Sequence, residues 1–256
     1  MKLDIILRTH STSDVHPGQR YTQTSKREVV LRCTKSLINS INLAEGDIHF
    51  TIIDDHSTED CVQELKKMLA LCKHKTTFVA LEGTGVQESA IAQFTYGREH
   101  GREVVYFIED DYLHTPSAIS EMMNAYELFK KRLNGQEVAL FPTDYPDFYR
   151  LCSHELTRIV YGEKRHWRVS YHTTNTCWLS HKAIVDNWQG FATLGQYYGT
   201  VYGVANNITE ENTINRMWRE DITLFSPIPS VALHMQFEEH KDPFIDWKSW
   251  WDAAAY

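Results

Sequence analysis

Val104-Val105-Tyr106-Phe107-Ile108-Glu109-Asp110-Asp111 is an apolar run of five residues that ends in three acids. An unbroken apolar run of that length suits a strand buried on both faces, as in a parallel sheet covered by helices. A second stretch repeats the pattern: Phe50-Thr51-Ile52-Ile53 is β-rich and ends in Asp54-Asp55. In an open parallel sheet, ligands bind beyond the carboxyl ends of the strands. Crowded carboxylates at such ends repel one another. A divalent cation with hard oxygen ligands, Mg²⁺ or Mn²⁺, would offset the repulsion. It would also bridge to a diphosphate and take up charge as that group leaves. A solvated acidic turn is the competing reading for either cluster alone.

Working outward, β and α patterns alternate through the first half. Asp4 to Arg8 reads as a buried strand, and Val30, Cys33, Leu37 and Ile41 recur at helical spacing. Ser57-Thr58-Glu59-Asp60 has capping-box character and opens a helix burying Val62, Leu65, Met68 and Leu69. Thr76 to Leu81 is a strand, Gly83 and Gly85 break it, and Gln87 to His100 is helical. Thr115-Pro116 supplies an N-cap and a first-turn proline for a helix burying Ile119, Met122, Tyr126, Phe129 and Leu133. Val138 to Phe141 is another strand. The pattern predicts an α/β fold with a mostly parallel central sheet flanked by helices. After Pro142 aromatics increase, and Arg168 to Tyr171, Thr176 to Leu179, Ile222 to Phe225 and Ser230 to Leu233 read as antiparallel or mixed strands. Helices are expected over His181 to Trp188 and from Thr209. All seven Trp lie beyond residue 160.

Composition sets the outer limits. Apolar residues at 42% of 256 exclude a mainly disordered chain, and a net charge of −8 argues against a dedicated nucleic-acid binder. No apolar run is long enough for a membrane span or a signal peptide, so a cytoplasmic protein is expected. Cys33, Cys61, Cys72, Cys152 and Cys177 are odd in number and form no CxxC, which fits reduced thiols, with Cys33, Cys61 and Cys72 in helical segments expected to be buried. The histidines show no zinc-site spacing.

Phe50-Thr51-Ile52-Ile53-Asp54-Asp55-His56-Ser57-Thr58-Glu59-Asp60 resembles the VVDDGSTD segment of family 2 glycosyltransferases. Val105 to Asp111 resembles their acidic strand, which carries the metal-binding DxD motif, here Glu109-Asp110-Asp111. Two departures stand out: His56 replaces the usual Gly, and a polar insertion (residues 10–26) separates the first strand from its helix. That insertion is either a lid over the donor or a surface excursion. The resemblance covers residues 3 to about 120 and implies a GT-A-like (Rossmann-like) fold. One domain is expected over 1–256: a nucleotide-sugar-binding half (1–141), an acceptor-side half (142–240) and a Trp-rich tail (241–256), read as a folded-back clasp.

The implied activity is transfer of a sugar from a nucleoside-diphosphate donor, UDP or GDP favoured, to a hydroxyl acceptor such as a glycan, with inversion and with Mn²⁺ or Mg²⁺. The resemblance assigns Arg8, Thr9, His10, Asp54, Asp55, Glu109 and Asp110 to the nucleotide sugar. Asp111, supported by Glu109, would bind metal, and His234 is a further ligand candidate with His240 as fallback. Thr209-Glu210-Glu211-Asn212 sits where the family places its catalytic acid. Glu211 matches the base and Glu210 its neighbour, with Asp144 and Asp221 as rivals. Trp178 would floor the acceptor site or fill the core. The alternatives are a nucleotidyltransferase and a non-catalytic nucleotide-sugar-binding module.

Overall fold

The computed structural model describes residues 1–12, 21–83, 85–146, 158–202 and 206–256. Cys152 and residues 13–20 of the insertion lie outside them. The first half contains β1 (Lys2–Thr9), α1 (Lys26–Leu43), β2 (Asp47–Asp54), α2 (Glu59–Leu69), β3 (Lys75–Ala80), α3 (Val86–His100), β4 (Val104–Glu109), β5 (Tyr112–His114), α4 (Ala118–Arg132) and β6 (Val138–Leu140). The second half adds β7 (Ile159–Tyr161), β8 (His166–Ser170), β9 (Cys177–Ser180), α5 (His181–Asp186), α6 (Trp188–Tyr197), β10 (Val201–Tyr202) and β11 (Asn206–Asn207). Then come α7 (Met217–Glu220), β12 (Thr223–Ile228), β13 (Ala232–His234) and α8 (Trp247–Ala253).

Among the described residues the main sheet has nine strands in the order β3-β2-β1-β4-β9-β6-β12-β8-β7. β1 pairs in parallel with both β2 and β4, and β6 with β12. β9 runs against β4 and β6, and β8 against β12 and β7. The expected parallel half and mixed half are therefore one continuous sheet. The chain winds outward from β1 through β2 to β3, then returns to β4 on the other side of β1. That reversal is a switch point, where the carboxyl ends of neighbouring strands part to leave a crevice. Strand residues Ile5, Phe50, Ile52, Val105 and Phe107 are fully buried, as a sheet covered on both faces requires.

The helical faces read from the sequence are buried as expected on α1 and α4, except that Leu133 is the C-cap of α4 and only partly buried. On α2, Cys61 takes the buried place expected for Val62, which is half-exposed. Two caps differ. Thr58 is the N-cap of α2 but makes no side-chain capping bond, because its hydroxyl engages Asp60 instead. α4 starts at Ala118 with Ser117 as its N-cap, so Thr115-Pro116 forms a turn ahead of the helix.

The helix expected from Thr209 is broken into 3₁₀ turns at Glu210–Asn212 and Ile214–Arg216 before α7. Thr213 sits at φ −125°, ψ −100°, outside helical geometry, and interrupts it.

A short strand absent from the sequence reading, β5, pairs with β13 in antiparallel fashion, with His234 opposite Tyr112. A second hydrophobic core lies beneath this pair: Val29, Cys33, Leu113, Leu233, Met235, Trp247, Trp251 and Ala254. The Trp-rich tail is thus a clasp, as expected. Trp247 and Trp251 are buried against α1, and the Arg32 guanidinium lies 4.9 Å from the centre of the Trp251 ring. No helix among the described residues is long and apolar enough to cross a membrane.

Candidate functional site

An open cavity of about 820 Å³ lies beyond the carboxyl ends of β1, β2 and β4. Of the residues assigned from sequence, Arg8, Thr9, His10, Asp55, Glu109, Asp110, Asp111, Glu210 and His234 line it. The β1–β4 register sets Arg8 opposite Glu109, and β1–β2 sets Thr9 opposite Asp54, which is why acids distant in sequence converge.

The carboxylates are held in different ways. Asp54 is buried. Its oxygens accept from the Thr9 hydroxyl at 2.7 Å and from the Ser57 N–H at 3.1 Å. It is a strut for the β2–α2 turn and does not line the cavity, a correction to its expected role at the nucleotide. Asp55 does face the cavity and accepts from the Gly85 N–H at 3.1 Å. Gly85 has φ +106°, a backbone conformation that side-chain-bearing residues avoid. His56, standing where the family has Gly, adopts φ +56°, in the left-handed region that glycine enters without strain.

Asp110 accepts from the His10 N–H at 2.7 Å and pairs with Lys26 at 2.5 Å. Glu109 accepts from Arg8 and the Thr174 hydroxyl, each at 2.9 Å, and from the Asn175 amide at 3.3 Å. Both Glu109 oxygens are thereby occupied, which argues against its expected place as a metal ligand.

Asp111 and His234 meet across the β5–β13 pair, with Oδ1 3.4 Å from Nε2. The imidazole stacks on the Tyr112 ring at 4.5 Å, and its Nδ1 lies 2.6 Å from the Tyr145 hydroxyl. Among the described residues, no three His, Cys, Asp or Glu side chains form a ready-made metal cage. The Asp111–His234 pair, a hard oxygen beside an imidazole nitrogen, nevertheless fits Mn²⁺ or Mg²⁺ as a two-ligand foothold that a substrate's oxygens would complete. His240 stacks on Tyr145 at 4.3 Å and does not line the cavity.

The two glutamates after Thr209 separate. Glu211 is exposed and paired with His172 and Arg219, each at 2.9 Å. Glu210 turns into the cavity. Burial, then the nearby Glu109 charge, pushes its carboxyl up to about 7, while the Tyr198 hydroxyl and Arg8 hold it back from rising further. Of the expected pair, Glu210 rather than Glu211 faces the cavity.

Asp144 is buried and locked to Arg168, away from the cavity, and Asp221 is exposed. Trp178 is fully buried between Tyr106 and Tyr126 and belongs to the core, not to an acceptor floor.

Several lining residues escaped the sequence reading: Lys26, Gly85, Ser89, Thr173, Thr174 and Tyr198. Thr173-Thr174-Asn175-Thr176, a polar run between two strands, was the available signal for one wall. Nothing local marked Tyr198.

Comparison with known proteins bears on this arrangement. Three solved structures align with this chain at TM-scores below 0.5. Staphylococcus aureus TarS 1-349 in complex with UDP is 13% identical, with TM-score 0.49, over 88% of this chain and 60% of that one. The WbbM bifunctional glycosyltransferase is 9% identical, with TM-score 0.46, over 87% and 38%. A UDP-glucose pyrophosphorylase complexed with UDP-glucose is 10% identical, with TM-score 0.48, over 99% and 97%. This chain thus spans about 60% of the TarS fragment's length. No curated protein matches it. The family model described as glycosyl transferase family 2 matches residues 23–186, which run from α1 through both acid-tipped strands to α5. That match covers well over half the chain, and with the α/β sheet around it the conclusion is direct: the chain belongs to glycosyl transferase family 2 and has the GT-A type of fold.

Proposed function

We propose that the cavity transfers a sugar from a nucleoside-diphosphate donor to a hydroxyl acceptor, a glycan being the favoured class, with inversion at the anomeric carbon. One observation carries the reading. A single cavity is lined both by a cation foothold, Asp111 with His234, and by a half-buried carboxyl raised to about 7, Glu210. A base poised near neutrality is suited to taking a hydroxyl proton.

Glu210 accepts the acceptor's proton, the freed oxygen attacks the anomeric carbon, and the bond from that carbon to the diphosphate oxygen breaks with its electrons. Asp111 and His234 would hold a divalent cation, whose chemistry is to neutralise charge on the departing diphosphate. Asp55, beside Gly85 at the end of β2, is placed for the nucleoside. Arg8 and Lys26 put positive charge on the cavity wall. Residues 1–141 would serve the donor, 142–240 the acceptor, and 241–256 the support of both within one folded unit.

Incubation with UDP-, GDP-, CDP- and dTDP-sugars, Mn²⁺ and a panel of glycan acceptors, followed by product analysis, tests the proposal. Sugar transfer by the wild type that is lost in Glu210→Gln supports it. Tight donor binding without turnover on any acceptor would leave a binding module instead.

A further inference from the structure

From Glu109 a file of hydroxyl groups runs to His234, and proton counting fixes the direction of every bond in it. A carboxylate only accepts, so the Thr174 hydroxyl donates to Glu109 Oε2 at 2.9 Å. Thr174 has one proton and has now used it. It therefore accepts from Tyr112 Oη at 2.9 Å, as it also does from the Thr176 N–H at 3.1 Å. Tyr112, having donated, accepts from Tyr145 Oη at 3.0 Å. Tyr145, having donated in turn, accepts from His234 Nδ1–H at 2.6 Å. A neutral imidazole has one ring proton, so Nε2 is left with its lone pair, 3.4 Å from Asp111 Oδ1.

The file is stiff. Tyr112, Tyr145 and His234 are buried, the first and last are stacked, and Arg8 holds Glu109 at its far end. Reversing any one bond would break another in the file.

We propose that Glu109 is a positioning residue. Acting through Thr174, Tyr112 and Tyr145, it holds His234 in the Nδ1–H tautomer and so presents Nε2 to a cation shared with Asp111. The proposal rests on the cation reading above and deepens it. The first acid of the triplet shapes the metal site from a distance and is not a ligand. Outer partners of this kind set the tautomer and basicity of a metal-binding histidine.

The test separates the two ideas. Protein labelled with ¹⁵N-histidine is examined without metal, at a pH where imidazole is neutral, by long-range ¹H–¹⁵N correlation. His234 is assigned from its loss in His234→Asn. The wild type is expected to carry the proton on Nδ1. Thr174→Val frees Tyr112 to reverse and brings in the Nε2–H form, and Thr174→Ser restores the original. Titration with Mn²⁺ alone, followed by electron paramagnetic resonance, is expected to show binding weakened about tenfold or more in Thr174→Val and recovered in Thr174→Ser.

Tyr145→Phe, which removes the acceptor for Nδ1–H, serves as the second variant if Thr174→Val does not fold. An Nε2–H wild type, or an unchanged tautomer ratio in a folded variant, overturns the proposal. A wild type with Nδ1–H that fails to bind Mn²⁺ supports the relay and overturns the cation reading instead.

Discussion

Glu211 gives its oxygens to His172 and Arg219 at the surface, while its neighbour Glu210 turns into the cavity beside Glu109. The 3₁₀ turn at Glu210–Asn212 decides which acid faces inward, and a resemblance between sequences does not resolve a one-residue choice of that kind. Glu210→Gln is expected to lower turnover by about 10²–10⁴-fold, the usual contribution of a general base, and Glu211→Gln by no more than a few-fold. Steady-state rates of the two variants check this. Because the base works only when ionised, wild-type turnover should rise with pH along a limb near the raised value of about 7, and Glu210→Gln should lose that limb. Stability moves the other way. The folded-state value lies above the ordinary 4.5, so the unfolded chain releases this proton first. The folded form therefore loses stability as pH rises from about 4.5 towards 7, and the deficit persists above. Glu210→Gln should accordingly be more stable than wild type by about 1–2 kcal/mol at pH 8, allowing for solvent in the open cavity, and no more stable below pH 4.5. Denaturant unfolding at the two pH values would show the difference.

At the scale of elements, the acid-tipped strands were legible as unbroken apolar runs, and α1 and α4 through the helical period of their buried faces. β5 was not: three residues, Tyr112 to His114, are too short for any period, and their strand character comes from β13, more than a hundred residues later. Trp178 was left undecided for a related reason. An aromatic residue is equally at home in a core and on a sugar-binding wall, and only packing by Tyr106 and Tyr126 decides. Close approach of helices is likewise invisible in sequence. A Cβ on Gly195 of α6 would come within 2.7 Å of the Ile91 backbone in α3. Gly195→Ala should therefore force the two helices apart and cost about 1–3 kcal/mol, as overpacking does. Trp247→Ala should cost about 3–5 kcal/mol by opening a hole in the second core. Thermal unfolding of both variants against wild type measures these losses.

For the whole molecule, charge in the cavity is the governing quantity. Asp55, Glu109, Asp110, Asp111 and Glu210 face the permanent cations Arg8 and Lys26. Such a wall disfavours an anionic donor until a cation joins it. Donor and Mn²⁺ together should therefore raise the unfolding temperature more than the sum of their separate effects, by an amount that follows saturation of the native state. Asp111→Ala should abolish that synergy while keeping the wild-type circular dichroism spectrum. The β5–β13 pair has a bearing on biosynthesis as well. It joins residue 112 to residue 234, and the clasp that backs it begins at residue 247. Chains emerge from the ribosome N-terminus first, and their early parts fold as they appear. The strands β1 to β4 can pair long before His234 has been made. A nascent chain therefore passes through a stage with a sheet but without the Asp111–His234 pair, which can form only after β13 has emerged.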